Sequence, residues 1–519
     1  MRMWSWRGII SVFLLTSLIS GYDVSNVANI QPRLYEEFGR IELLPWIGLS
    51  YSLANLAVLP YSRRMISCFD WRTLYISHLI IFILGAVVAA SAPSLSAVIA
   101  GRVIMGLGGS VIQQTNLSYI SLYTKPSESA SLVACISAMW AIGLVVGGPI
   151  GSAFAESQAT TWRWAFYVNV PFIGVCVVIS LLCIPHHSTM GRGTSIAERM
   201  MRLDLAGICL SALATVTFAI ACTFCGSIWN WFSLQSILTW VSCGIAFLLC
   251  FLQQYFCVCT TANDRALPLH LLSPKFMKFF PLWVATGCAG ITYAISLYYV
   301  PLYFAFARGH DALQQTVRLL PLVLVFIATV ILTGAFLPLL NRYEILFIMS
   351  GCITTAGAAA MTVVLARPTA TDSQIMGLEA LLGVALGLGF QHSLAISNIL
   401  IHDARDKIDS AMLCNLMQMG GIALMLSVAG CIFQNVGLGL LQDSINFDRR
   451  FTDHQVQEAL AGVSSALWNE SDPRLMARGV QAVAETIARE FYIVLAGGII
   501  CLSCGTWMSL ERLGALKRS

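Results

Sequence analysis

The sequence predicts an all-α polytopic membrane protein with about fourteen transmembrane helices, and two observations carry that fold class. Of 519 residues, 57% are hydrophobic and only 11% charged, whereas soluble domains carry roughly 25% charge; so few charges do not cover a water-facing surface of this size. The apolar residues also come in blocks of about 20, the length that crosses a hydrocarbon layer of roughly 30 Å at 1.5 Å per helical residue.

Taken in order, the blocks place spans near 8–30, 43–61, 74–92, 96–121, 130–153, 164–185, 204–225 and 236–257, then 281–304, 316–339, 344–365, 375–400, 411–434 and 490–510. Arg2 and Arg7 ahead of the first apolar run also fit a signal peptide. The run continues through Tyr22, Asp23 and Val27 to Ile30 with no evident cleavage site, so it is kept as the first span.

Lys and Arg stay on the cytoplasmic side of short loops because translocating them is costly. With the N-terminus inside, Arg63, Arg64, Arg72, Arg265, Lys275, Lys278, Arg342, Arg405 and both chain ends gather on one side. Both termini are therefore expected in the cytoplasm, which requires an even number of spans. The net charge of +4 suits inner loops facing anionic lipid rather than nucleic acid. One long polar segment, 435–489, falls outside. Leu460, Val463 and Leu467, then Val480, Val483 and Ile487, recur in it at helical spacing, which predicts short amphipathic helices lying on the outer surface. Asn469 opens a glycosylation sequon there. The 17 cysteines are scattered through apolar blocks. The pairs Cys222/Cys225 and Cys501/Cys504 lack the His or second pair that a zinc site needs, so cysteines are read as packing, with no metal and no cofactor.

Several segments in register resemble the major facilitator superfamily, in particular its fourteen-span drug:proton antiporter branch as found in fungi. Asp23 to Pro32 resembles the element at the end of the first span. Arg63 to Arg72 resembles the gating loop, with Arg63, Arg64, Asp70 and Arg72 as its charged members; Arg63 stands at the family's Gly and Ser67 at its Asp, so the usual charge latch is expected to be lost unless Asp70 replaces it. Arg102 to Gly109 resembles the fourth-span element, and an arginine at membrane depth must face an aqueous cavity or a partner, unless it snorkels to the interface. Gly143, Gly147, Gly148, Pro149 and Gly151 resemble the antiporter signature of the fifth span, with Pro149 one residue late. Trp162 to Pro171 resembles the WRW element, expected as an interfacial belt.

The resemblance implies the major facilitator fold: two six-helix bundles with two extra central helices. It divides the chain into 1–201, a linker pair with its loop at 202–279, and 280–519 containing the outer segment 435–489. No GxxxxGK[ST] segment occurs, so transport runs on a gradient, most simply of protons, with no nucleotide. Asp23 and Glu379 are the clearest carboxylates at apparent membrane depth and, with Arg102, the candidates for proton coupling or for the cavity; hydration near span ends is the alternative. Tyr51, Asn55, Gln113, Gln114, Asn116, Trp140, Tyr293, Tyr298, Gln391, Asn415 and Gln418 are candidates to line a cavity for a flat amphipathic molecule, or else bundle contacts. The expected function is proton-coupled export of small organic molecules, drugs or a secondary metabolite, by a monomer in the plasma membrane or an endomembrane. An importer, for instance of siderophore-bound iron, and a non-transporting receptor are the alternatives.

Overall fold

The structure is a computed structural model that describes residues 3–39, 43–157, 160–186, 196–226, 228–445 and 473–516, with positions 452, 455, 456, 459, 460 and 468 between the last two blocks. Among the described residues fourteen long helices run: α1 (Met3–Phe38), α2 (Leu44–Cys68), α3 (Trp71–Ala90), α4 (Leu95–Tyr123), α5 (Pro126–Glu156), α6 (Asn169–Cys183), α7 (Leu205–Phe224), α8 (Leu234–Phe256), α9 (Phe280–Arg308), α10 (Ala312–Phe336), α11 (Glu344–Leu365), α12 (Asp372–Gly389), α13 (Ala404–Ile445) and α14 (Pro473–Leu516). A single helical turn, Trp164–Tyr167, precedes α6, and His392–Leu400 continues α12 after a break.

Short polar loops set the helix ends. Asp70, Ser94, Asp204 and Ser233 each accept a hydrogen bond from a first-turn amide, capping α3, α4, α7 and α8. Asp311 with Gln314 and Thr371 with Gln374 form full capping boxes on α10 and α12. Among the described residues, thirteen helices are long and apolar enough to cross a membrane. The exception is α2. Its polar residues Ser50, Asn55, Ser62 and Arg63 are each buried against other helices, so they lower its apolarity without meeting lipid.

The helix contacts repeat. In the first bundle α1 packs on α5 and α6, α4 on α2 and α3, and α3 on α6; in the second, α9 packs on α13 and α14, α12 on α10 and α11, and α11 on α14. Each pairing recurs eight helices later, a twofold repeat that no sequence similarity between the halves displays. The repeat extends to single contacts: a Cβ on Gly106 of α4 would meet the Tyr51 carbonyl of α2 at 2.5 Å, and one on Gly383 of α12 the Leu322 carbonyl of α10 at 2.5 Å. The remaining pair, α7 and α8, pack on each other, and α7 lies against α2 and α13.

Two expectations need correction. Short surface helices are expected over 435–489, but its described stretches 435–445 and 473–489 belong to long continuous helices: α13 runs 42 residues to Ile445, and α14 runs 44 residues from Pro473, each roughly twice the length a bilayer requires. Val480, Val483 and Ile487 therefore lie on a continuous helix. Val483 and Ile487 are buried with Val456, Leu460 and Trp468 in a cap packed on the second bundle. Val463, Leu467 and Asn469 lie outside the described residues. The WRW element is likewise only half interfacial. Trp164 is exposed, but Trp162 is buried, its Nε1 donating to Glu37 at 2.6 Å, while Arg163 donates to Glu37 at 2.8 Å and to the Ala92 carbonyl at 2.9 Å. It thus ties α1, α6 and the α3–α4 turn together.

Candidate functional site

Asp23 and Arg102 find each other. The Arg102 Nη1 pairs with Asp23 Oδ2, both side chains being 2% exposed or less. Asn169 donates to the other Asp23 oxygen at 3.2 Å, Arg102 Nε donates to the Ile47 carbonyl at 3.1 Å, and the guanidinium lies 4.7 Å from the Tyr51 ring centre. Neither snorkelling nor hydration accounts for this pair; it is an internal brace joining α1, α2, α4 and α6, and neither residue lines the central cavity.

The glycines of the fifth span lie where α5 meets α1. A Cβ on Gly143 would strike the Leu18 carbonyl, one on Gly147 the Tyr22 carbonyl, and one on Gly151 the Asn26 carbonyl. Both rows step by four residues, so the helices interlock ridge into groove at backbone distance. Gly148 is buried beside them and Pro149 lies inside the helix. Gly143→Val is expected to lower stability by about 1–3 kcal/mol through overpacking, read as a drop in the unfolding temperature of the purified protein, whereas Gly174→Ala, with nothing within 4 Å of its Cβ position, leaves it unchanged.

Among the described residues, four side-chain hydrogen bonds join the two bundles: Arg63 to Asp409 at 2.6 Å, Asn398 to Ser129 at 3.0 Å, Asn415 to Gln114 at 3.1 Å and Ser137 to Gln391 at 2.8 Å. Arg63 ends α2, Asp409 begins α13, Ser129 begins α5 and Asn398 ends the α12 continuation. Since successive helices run antiparallel, these positions share one end, the basic end. There, too, Gly334 of α10 abuts Ala130 and Ala134 of α5. The structure is therefore latched at its basic end.

That latch corrects the expectation for the gating loop. The lost Gly is itself the latch: Arg63, 4% exposed, pairs with Asp409, 2% exposed, and also donates to the Ala266 carbonyl at 2.8 Å and the Arg265 carbonyl at 2.6 Å. Arg64 pairs with Asp264. The loop after α8 is thus strapped across the joint. Asp70 does not replace the lost carboxylate in the latch; it caps α3 through the Thr73 amide at 3.1 Å and contacts His186. Arg72 takes no part in either ion pair.

Between the bundles, above the latch, lies a cavity of about 30 Å³, room for a water or two. Tyr51, Gln113, Asn116, Trp140, Gln391 and Gln418 line it. Tyr293 stacks on Trp140 with ring centres 4.7 Å apart, and Phe390 completes a three-ring cluster at 5.7 Å from each of them. Gln391 sits at φ 55° in the break of α12, a left-handed conformation uncommon for a non-glycine residue. From there it accepts from Ser137 and donates to Gln418 at 3.1 Å. The Tyr293 hydroxyl, Asn415 Oδ1 and Gln418 Nε2 are buried without a hydrogen-bond partner; Gln418 lines the cavity, while Tyr293 and Asn415 stand behind its wall. Asn116 also braces its own bundle, and Gln114 and Asn55 lie off the cavity. Asn116 bridges Tyr75 and Thr16, Gln114 is held by Asn415, and Asn55 stays buried where α2 meets α4. Tyr298 is 44% exposed and does not line the cavity.

Glu379 is fully buried in α12, one turn before Gly383, and neither carboxylate oxygen has a partner. A second such group, Glu490 of α14, escapes sequence reasoning: it too is fully buried with both oxygens unpartnered. The signal was its place in the row Val483, Ile487, Glu490, Val494, whose spacing of four, three and four puts it on a buried helix face. Asp409 was missed because it lies in a polar stretch that reads as loop.

Two repeated bundles meeting at a polar and aromatic cavity, latched at one end, are the architecture of membrane carriers whose site lies between two bundles. The profile of the Major Facilitator Superfamily matches residues 13–433, and the chain belongs to that family: it is a multi-pass secondary transporter for small molecules, not an enzyme. It is 29% identical to the efflux pump patC of Aspergillus clavatus over 98% of this chain and 91% of that one. It is also 29% identical to the MFS-type transporter pgmG of Aspergillus terreus, over 98% and 89%, and 28% identical to the efflux pump DEP3 of Fusarium langsethiae, over 96% and 89%. The human organic anion transporter MFSD10 shares the fold, with a TM-score of 0.57 at 12% identity over 95% of this chain and 99% of that one.

Proposed function

We propose that this chain exports small, amphipathic organic molecules, such as a fungal secondary metabolite, in exchange for protons. The observation that carries the reading is the interface cavity, where Trp140, backed by Tyr293, and the unspent Gln418 Nε2 form part of the wall, with the unpartnered Tyr293 hydroxyl and Asn415 Oδ1 behind it. Flat molecules with a few polar groups match such a lining. The cavity is too small for cargo in the latched state, so loading requires the bundles to part. The basic end is the cytoplasmic end, both termini lie there, and the monomer works in the plasma membrane. The relatives named efflux pumps support the outward direction.

Glu379 is the proton carrier. Among the described residues no cation or donor compensates its charge in the latched state, so the group gives up and takes a proton as the bundles move. Asp23, already neutralised by Arg102, serves as brace. Glu379→Gln is expected to remove resistance conferred by the expressed protein, lowering export at least about tenfold, or about 1.4 kcal/mol in the barrier, while the protein remains folded and in the membrane. Growth of expressing cells on a panel of fungal toxins tests the direction. Resistance to at least one compound is the expected outcome; sensitisation in its place means import and overturns the reading.

A further inference from the structure

A second cavity, of about 430 Å³, lies between the α7–α8 pair and the two bundles and shares no lining residue with the central one. Its size falls within the range of roughly 300–1,000 Å³ that holds organic ligands. Its walls are carbon and sulfur, as at Leu56, Ile291, Leu416, Met417 and Leu424. Of its few polar side chains, Thr215 and Gln254 are spent within the protein. Thr215 Oγ1 donates to the Ser211 carbonyl at 2.9 Å in its own helix, Gln254 Nε2 donates to Asp204 at 2.5 Å, and Gln254 Oε1 accepts from the Leu267 amide at 2.9 Å.

A ligand rich in hydroxyls or charge would find at most the Tyr61 and Ser211 hydroxyls on these walls and would lose its hydration on entering. Water gains nothing in an apolar cavity, and an empty one forfeits dispersion contacts on every wall. The medium outside is hydrocarbon. Ile500, 46% exposed, stands at the rim, and the outer faces of α7 and α8 present exposed Leu213, Leu238, Ile245 and Leu248. We infer that this cavity binds the acyl chain of a membrane phospholipid, seated between the α7–α8 pair and both bundles. Its walls come from α2 of the first bundle, α9 and α13 of the second, and the extra pair. A chain lodged there therefore contacts all three bodies and favours the arrangement in which it fits, the latched one. The extra pair thereby gains a role: it encloses a lipid where the bundles meet.

The test is native mass spectrometry of the full chain after reconstitution in phosphatidylcholine vesicles, extraction and repeated detergent washing. The wild-type protein retains a phospholipid through washes that strip the surrounding lipid. Gly420→Leu fills the cavity, since the Cβ position of Gly420 meets only Leu56 Cδ1, at 3.8 Å; Leu424→Trp fills it from the next turn of α13. Each variant retains the lipid at least about tenfold less well with unchanged helicity and elution volume, whereas Leu248→Trp on the exposed face retains it as wild type does. A wild-type protein that emerges without lipid overturns the inference, and so do folded filled variants that keep it.

Discussion

Arg102→Ala is expected to cost about 3–5 kcal/mol of stability, the range for removing one partner of a buried ion pair. The substitution leaves the fully buried Asp23 carboxylate with the single amide donor of Asn169 and frees the Ile47 carbonyl. Arg102→Lys keeps the charge but gives up the planar fork that bonds Ile47 and stacks on Tyr51, so its loss is smaller but clear. Replacing both partners, as Asp23→Leu with Arg102→Met, recovers most of the deficit because the uncompensated charge disappears. Thermal unfolding of the purified proteins checks the series. A stable Arg102→Ala protein would mean that α1 and α4 are not braced through this pair.

Arg63→Ala is expected to open the basic end. It leaves Asp409 buried beside His270, with the Arg265 and Ala266 carbonyls stripped of their donor. Every 1.4 kcal/mol of lost latch energy shifts the closed population about tenfold. Cross-linking reads the population directly: cysteines at Ser129 and Asn398, whose side chains bond at 3.0 Å, report closure once the exposed Cys135, Cys209, Cys259 and Cys352 are replaced by serine. The parent cross-links readily, and Arg63→Ala cross-links at least about tenfold less. Asp409→Asn removes the ion pair and loosens the end in the same direction. Undiminished cross-linking in Arg63→Ala would show that packing at Gly334 and Ala130 closes the end without the latch.

The spans were legible because the bilayer imposes a length on each of them, and an apolar block of that length has few other readings. Helix ends were legible where Asp, Ser or Thr caps a first turn. What the linear pattern hides is which polar group meets which. Arg63 and Asp409 lie 346 positions apart, and the substitution that reads as a lost glycine becomes a latch only when α13 is set beside α2. Arg102 and Asp23 were both recognised as costly at membrane depth, yet their pairing depends on α4 facing α1. Glu490 was hidden by its place at the first position of the expected span 490–510, where a carboxylate reads as a hydrated helix end; the helix in fact continues back to Pro473 and buries it. The cavity set divided the same way, since amides such as Gln391 and Gln114 bond across the bundles by geometry that spacing does not carry.

The central claim is coupled export. Its most direct test is flux of a toxin found in the growth panel, followed in sealed vesicles with the basic end facing outward and an imposed pH gradient. With the interior acid, protons leave and the account predicts that the toxin accumulates inside, that a protonophore abolishes the accumulation, and that Glu379→Gln does not support it. Accumulation indifferent to the gradient, or unchanged in Glu379→Gln, would contradict it.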